Sequence, residues 1–392
     1  MKIKTLRYFK HVLLTLLIGI PVFFAANFLS GNSLKHNRND LVDNWDNEGP
    51  YVFFESDTSL SINCIKGSRE NGFFLKSTVE NSDTPASISC YYPLDSTSFK
   101  VALKTSFKIP KSVYNDGNKI VAISDIESNY KTFRNFLINS KVIDQELNWT
   151  FGENHLVLVG DFIDRSYFTT QILWFIYKLE QDAKSKGGKV HYILGNHEIM
   201  NMQGNHKYAK SKYDIVASIL GKKQFELYDT TSFLGRWLES KNTIELINGV
   251  LFTHGGLSPE FSELSTSIEN MNSIIRAEYY QTYYPRKNQN RTVEILTSYS
   301  TSPYWYRGYF KSDILQETVE SGIDIFNAKA VVVGHTVQSK VNKSYNGKVI
   351  GIDVKHPQDY YEYFPQRKSE GLLISDGHFY RIFNNGESKE KI

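Results

Sequence analysis

The sequence predicts an α/β fold led by a small β-rich region, and three observations carry that prediction. Five runs in the later two-thirds of the chain, KIVAIS, HLVLVG, KVHYIL, GVLFT and AKAVVVG, are too continuously apolar for sheets wetted on one face. Helical patterns, among them 130–137 and 170–179, lie between several of them. Each run also ends in polar residues, where α/β proteins place their ligand sites. With 41% apolar and 14% aromatic residues over 392 positions, the chain has material for a large core and is not a disordered or collagen-like one.

Taken in order, residues 1–30 read as an export signal or a membrane anchor. Lys2, Lys4, Arg7 and Lys10 precede the mostly apolar stretch 12–29. Basic residues stay cytoplasmic while such a stretch enters the translocon, so the remaining chain is expected outside the cytoplasm, periplasmic or anchored facing outward. At 18 residues the run is near the lower limit for crossing about 30 Å of hydrocarbon, and Pro21 and Asn27 weaken it as a permanent helix. Residues 31–50, rich in Asn and Asp, read as a linker. From 51 to 116, the runs YVFFES, SLSINCI, GFFLKST, ASISCYY and FKVALKTSFKIP alternate with turn residues, the pattern of a small antiparallel β region. Cys64 and Cys90 fall in its strand-like segments, and an oxidising compartment would join them in a disulfide, two buried free thiols being the other reading.

The larger domain is expected over 117–384, followed by a polar tail at 385–392. Its last runs, KVIGIDV and GLLISDGHFYRIF, read as a hairpin region closing the domain. Formal net charge is +3, but the basic residues of the first segment have no acidic neighbours, and without them the body stands at −1. A near-neutral body gives no support to nucleic-acid binding through bulk charge. Two cysteines cannot build a four-thiolate zinc site.

The chemistry sits at five strand ends. Asp125 and Glu127 alternate about Ile126, so both carboxylates point to one side of an extended segment. GDFIDR (160–165) follows the second run, GNHE (195–198) the third, THGGLSP (253–259) the fourth and GHT (334–336) the fifth. Carboxylates, imidazoles and one amide oxygen make a hard-to-borderline ligand set, suited to Mn²⁺, Fe or Zn²⁺ rather than soft copper. An Asp after a strand is commonly a turn or cap and a lone His a packed residue, but five such ends in one chain are not explained that way.

These blocks resemble the calcineurin-like metallophosphoesterase superfamily, whose phosphoprotein-phosphatase branch reads D-x-H, G-D-x-x-D-R, G-N-H-E, H-G-G and G-H-T. Four of the five match in order over about 118–384. Within the branch the chain is similar to the Shewanella-like phosphatases, through Ile199-Met200-Asn201-Met202-Gln203-Gly204 with Tyr208, and through Pro303-Tyr304-Trp305-Tyr306-Arg307. The resemblance implies a metallophosphoesterase-type β-sandwich flanked by helices and two divalent ions about 3.5–4 Å apart, with a water between them that attacks phosphorus. It implies Asp125, residue 127 and Asp161 as ligands of the first ion, and Asp161, Asn196, His254 and His335 as ligands of the second. His197 would be the general acid, oriented by Asp164, and Arg165 and Arg307 would hold the phosphoryl oxygens with paired donors.

Glu127 departs from the pattern, which has His there. A carboxylate still ligates a divalent ion, but the harder oxygen tilts the first site from Fe or Zn²⁺ toward Mn²⁺ or Mg²⁺, with manganese the leading expectation. The added charge raises the pKa of the water between the ions. If Glu127 instead turns away, the first ion binds weakly. The expected activity is hydrolysis of phosphomonoesters, including Ser/Thr or Tyr phosphoproteins. The same plan serves (di)nucleotide polyphosphate hydrolases, and a degenerate fold would leave a non-catalytic phosphate-binding module. Tyr279, Tyr280, Tyr283, Tyr284, Tyr304, Trp305, Tyr306 and Tyr309 would either line a groove for an aromatic substrate or pack the core and rim.

Overall fold

Alternation within each apolar run sets the architecture. Along Ile120–Ile123, Ile120 and Ala122 enter one buried cluster while Val121 and Ile123 enter another. The runs at 155–159, 250–253 and 330–333 divide in the same way. A strand buried on both faces must lie inside a sheet covered on both sides. The computed structural model describes the chain apart from residues 1, 31–32, 38–44, 82–85, 286–289, 312–313 and 384–388.

Two six-stranded sheets pack face to face, the shared cluster lying between them. One runs in the order Lys189–Ile193, His155–Val159, Ile120–Ile123, Glu370–Ser375, His378–Phe383 and Glu390–Lys391. The other runs Asn342–Ser344, Val349–Gly351, Ala330–Val333, Val250–Thr253, Ile244–Ile247 and Val113–Tyr114. The first three strands of the first sheet are parallel, so their carboxyl ends share an edge. Val250–Thr253, Ala330–Val333 and Val349–Gly351 are parallel too. Helices Tyr130–Asn139 and Thr169–Ser185 cover the outer face of the first sheet with Phe133, Phe136, Phe175 and Ile176.

The two closing runs do not pair with each other as the sequence suggests. Val349 and Ile350 are buried on opposite faces, so their strand joins the interior of the second sheet, parallel to Ala330–Val333. Glu370–Ser375 and His378–Phe383 form their own hairpin in the first sheet. It turns at Asp376-Gly377, whose φ values of 54° and 72° suit a two-residue turn with both centres left-handed.

The β-rich region is a three-stranded antiparallel sheet, Glu48–Ser56, Ser59–Ser68 and Gly72–Asn81, plus the hairpin Ser87–Tyr92 and Thr97–Ala102. It packs on helix Thr169–Ser185. Trp174 Nε1 donates to the Pro50 carbonyl at 2.8 Å, Gln171 to Tyr91 at 3.0 Å and Gln181 to Ala102 at 2.9 Å. Glu48 forms a buried 2.8 Å ion pair with Lys212, which draws the strand start back into the expected linker. Leu34–Asn37, also expected as linker, pairs antiparallel with Tyr361–Phe364. At the other end Glu390–Lys391, expected as free tail, adds to the His378–Phe383 edge, where Arg381 meets Glu390 at 2.9 Å.

The expected disulfide is absent, and Cys64 and Cys90 are free thiols. They belong to separate sheets, and Cys90 directs its Sγ at the Gly49 carbonyl, 3.5 Å away. Helix Lys2–Leu29 precedes all of this. Its stretch Thr5–Asn27, 23 residues of mean hydropathy 1.9, is long and apolar enough to cross a membrane, and none of it is buried against the rest.

Candidate active site

The polar strand ends meet where the two sheets' carboxyl edges converge, and the backbone there is held in an unusual state. Asp125, Glu127, Asp161, Asp164, Arg165 and His335 all have φ between 51° and 70°. Such left-handed conformations cost roughly 1–3 kcal/mol each for residues with a Cβ, and persist only where the surroundings over-determine them. Cross-strand bonds do this: Asp125 N donates to Gly160 O and Glu127 N to Asp161 O, both at 3.0 Å. A Cβ on Gly195 would stand 2.3 Å from Asp161 Oδ1 and 2.7 Å from Asp161 N, so only glycine fits beside that carboxylate.

Asp161, His254 and His335 bring their ligand atoms within 4.8 Å of one another, all three buried. His254 Nδ1 donates to the Val159 carbonyl at 2.8 Å and His335 Nε2 to that of Trp305 at 2.9 Å. Those bonds turn the lone pairs of His254 Nε2 and His335 Nδ1 toward each other at 3.1 Å, with Asp161 Oδ2 3.0 Å from His254. Two imidazole lone pairs and a carboxylate converge stably only around a cation. Asn196 adds to the set, for it is 2% exposed and its Oδ1 has no hydrogen-bond partner among the described residues. The donor set therefore fits a divalent metal. Burial pulls the His254 pKa down, but Asp161 pushes it up to about 9, while burial and His254 hold His335 well below its ordinary value.

On the other side, Asp125 Oδ2 accepts from His335 N at 3.1 Å, and burial with Asp353 nearby raises its pKa well above the usual range. Glu127 does not stand free. Its Oε1 is taken by Arg165 Nη1, and burial raises its pKa against that pull. Arg165 also reaches His197, Nη2 to Nε2 at 3.2 Å, and lies over Tyr208. His197 Nδ1 sits 2.8 Å from Asp164 Oδ2, and Nε2 lies 3.7 Å from Asp161 Oδ2. Arg307 donates to the His335 carbonyl and has Asp125 and Asp161 as charged neighbours. All ten residues singled out by motif thus gather in one place.

A model of the calcineurin-like phosphoesterase family matches residues 118–339, more than half of the chain. The protein belongs to that family. Shewanella-like protein phosphatase 1 of Plasmodium berghei is 30% identical over 260 residues, covering 61% of this chain and 68% of its own. Shewanella-like protein phosphatase 2 of Arabidopsis thaliana is 26% identical over 312 residues, 67% and 76% of the two chains. The crystal structure of a cold-active protein-tyrosine phosphatase from a psychrophilic Shewanella superimposes with a TM-score of 0.74 at 29% identity, covering 88% of this chain and 98% of that one. The fold is the family's mixed α/β one, and the chain is a phosphoester hydrolase of a family built around a dinuclear divalent-metal centre.

Several residues of this calcineurin-like site escape the motif reading. Glu198 is fully buried and accepts from Asp161 N (3.0 Å), Phe162 N (2.8 Å), Gly195 N (2.8 Å) and the Tyr192 hydroxyl (2.9 Å). It ties two ligand-bearing segments together, and its place at the third position of helix Asn196–Met202 is a capping signal legible in GNHE. Asn201 donates to Asp164 Oδ1 at 3.0 Å, steadying the group that orients His197. Asp353 lies 4% exposed beyond strand Val349–Gly351, and burial with Glu127 beside it raises its pKa to about 7. The signal was available, since KVIGID is a sixth apolar run ending in a carboxylate. Of the aromatics, Tyr279, Tyr304, Tyr306 and Tyr309 are core. Trp305 instead stands edge-on to His335 at 5.7 Å, followed outward by Tyr299 at 5.2 Å and Tyr283 at 5.9 Å.

Proposed function

We propose that the protein is a metal-dependent phosphomonoesterase acting on phosphoproteins, with phosphotyrosine as its preferred side chain. The observation that carries the reading is the convergence of the Asp161, His254 and His335 ligand atoms within 4.8 Å beside the His197 Nε2 atom. Asp125 and Asp161 would hold one ion from its carboxylate side, and Asp161, Asn196, His254 and His335 the other. When bound, the ions supply charge neutralisation at the phosphoryl group and activation of water at neutral pH. The oxygen-rich first set favours Mn²⁺ over Zn²⁺ or Fe.

The chain's own groups do the rest. Burial lowers the His197 pKa, but Asp161 and the Asp164 hydrogen bond outweigh it and push the value up to about 9. With Asp164 holding Nδ1, His197 would present Nε2 to the leaving oxygen and give it a proton as the P–O bond breaks. Arg165 and Arg307 approach from either side and would clamp the non-reacting phosphoryl oxygens. The outward row of Trp305, Tyr299 and Tyr283 offers ring faces and edges to an aryl phosphate. The phosphotyrosine preference draws further support from the protein-tyrosine phosphatase that shares the fold.

His197→Asn is expected to lower kcat by about 10²- to 10⁴-fold on phenyl phosphate and much less on para-nitrophenyl phosphate, whose leaving group needs no proton. Equal losses on the two would refute the acid assignment. In a comparison of phosphotyrosine with phosphoserine peptides, Tyr299→Ala should reduce kcat/KM for the former alone, by roughly 3- to 10-fold for one lost ring contact. A uniform change across both peptides would argue against the aromatic rim as a selector. The unpacked apolar helix Thr5–Asn27, led by basic residues, supports placement outside the cytoplasm through a cleaved signal or a retained anchor.

A further inference from the structure

Asp353 is a carboxylate outside the motifs read from the sequence, and it lies two residues past the end of strand Val349–Gly351. Val331, Val332 and Val333 lie beside Val349, Ile350 and Gly351 in a parallel pair. The pair ends at Val333 and Gly351, and the two segments meet again at Gln338 and Val354, so Asp353 lies in the short stretch between those contacts, opposite the turn that carries His335. The backbone holds it there: Ile352 N donates to Val333 O at 2.9 Å, and Gln338 N to Asp353 O at 2.8 Å. Asp125 flanks the same turn. Its Oδ2 accepts from His335 N, and a methyl added to Gly334 would stand 2.5 Å from that oxygen.

Asp353 is 4% exposed, and among the described residues no hydrogen bond or ion pair reaches its carboxylate. Its charged neighbours are Glu127, His254, Asp161 and Arg165, and it is in turn the foremost charged neighbour of Asp125. Buried carboxylates are ordinarily paired, hydrogen-bonded or bound to metal. The cation best placed to pair with it, Arg165, is instead taken by Glu127 Oε1. An unpartnered acid therefore faces the ion site from a sixth strand end, while the residue at the family's histidine position is occupied elsewhere.

We propose that Asp353 is an oxygen ligand of the ion on the Asp125 side, filling the place that Glu127 has given up to Arg165. The inference rests on the dinuclear-centre reading above. It makes the first set Asp125, Asp161 and Asp353, an all-oxygen site that selects Mn²⁺ or Mg²⁺ over Zn²⁺. Glu127 becomes a positioning residue that holds the phosphate-clamping Arg165.

The test uses the full chain stripped by chelator, with Mn²⁺ alone as the probe, read by titration calorimetry and thermal unfolding. The parent is expected to bind two Mn²⁺. Asp353→Asn, nearly the same shape, should weaken one of the two by roughly 10- to 100-fold and leave the other unchanged. Metal-free Asp353→Asn should unfold no earlier than the parent, because it removes a buried charge without removing a bond, while the Mn²⁺-induced rise in Tm shrinks. Asp353→Glu, which restores the oxygen, should recover part of the affinity. Parent-like binding of two Mn²⁺ by Asp353→Asn overturns the proposal, as does a variant whose sole change is a lower metal-free Tm. Either result leaves the phosphatase reading standing if the parent hydrolyses phosphomonoesters. A parent that takes up no Mn²⁺ and hydrolyses no phosphomonoester overturns both.

Discussion

His356 illustrates how a single side chain just behind the site couples the fold to pH. Its Nε2 donates to the Ser124 carbonyl at 3.0 Å, next to Asp125, and among the described residues its Nδ1 has no hydrogen-bond partner. Burial pushes its pKa down to about 4, against an unfolded value of about 6.5. Between those two values the unfolded chain binds a proton that the folded one refuses, so stability rises with pH there. The contribution is fully present above pH 6.5 and is lost as pH falls toward 4, amounting to roughly 3 kcal/mol across the window. Urea unfolding of the metal-free protein from pH 7 to 4 should show this slope, and His356→Gln should flatten it. An unchanged slope would place the titration elsewhere. Glu127 and Arg165 make a similar point, since their pairing turns two residues of separate motifs into one unit.

At the scale of elements, the site depends on junctions where parallel strands hand over to turns and helices. Glu198 is the clearest case, for its carboxylate receives the chain at both Asp161–Phe162 and Gly195. Replacing it by Gln sets an amide N–H against backbone donors and orphans buried groups at about 1–3 kcal/mol each. Glu198→Gln is therefore expected to lower stability by roughly 2–4 kcal/mol in chemical denaturation, with Mn²⁺ affinity falling alongside. A variant as stable as the parent would mean that the left-handed turns at Asp161 and Asp164 are held by other contacts. The β-rich hairpins enter the same account through helix Thr169–Ser185, which donates from Trp174 to the Pro50 carbonyl and packs Phe175 against Phe99 of the hairpin.

For the whole molecule, the consequence is an unequal division of labour between the two ends of the chain. The apolar stretch Thr5–Asn27 is not buried against the described residues, whereas Tyr51, Val52, Phe53, Tyr92 and Phe99 share one core with Phe175 and Trp237. Deleting residues 1–33 is expected to leave Tm and turnover unchanged and to move the protein from the detergent-rich to the aqueous phase in a partition assay. Extending the deletion to residue 103 should abolish cooperative unfolding, because it strips helix Thr169–Ser185 of its apolar cover. A stable, active 104–392 fragment would show that the β-rich region is dispensable.

Local information was enough for the strand-end motifs, because each ligand block is contiguous and its chemistry shows in residue type alone. The five apolar runs, the helices at 130–139 and 169–185, and the membrane-length first helix were legible for the same reason, as hydrophobic periodicity is a short-range property. Pairing was not. Whether KVIGIDV joins its sequence neighbour or Ala330–Val333, whether two cysteines meet, and which carboxylate Arg165 engages are settled by contacts between distant segments. Only the assembled sheets bring His335 beside Asp125 and His254 and bend six site residues into left-handed backbone, since burial and strain arise from packing and leave no mark in composition.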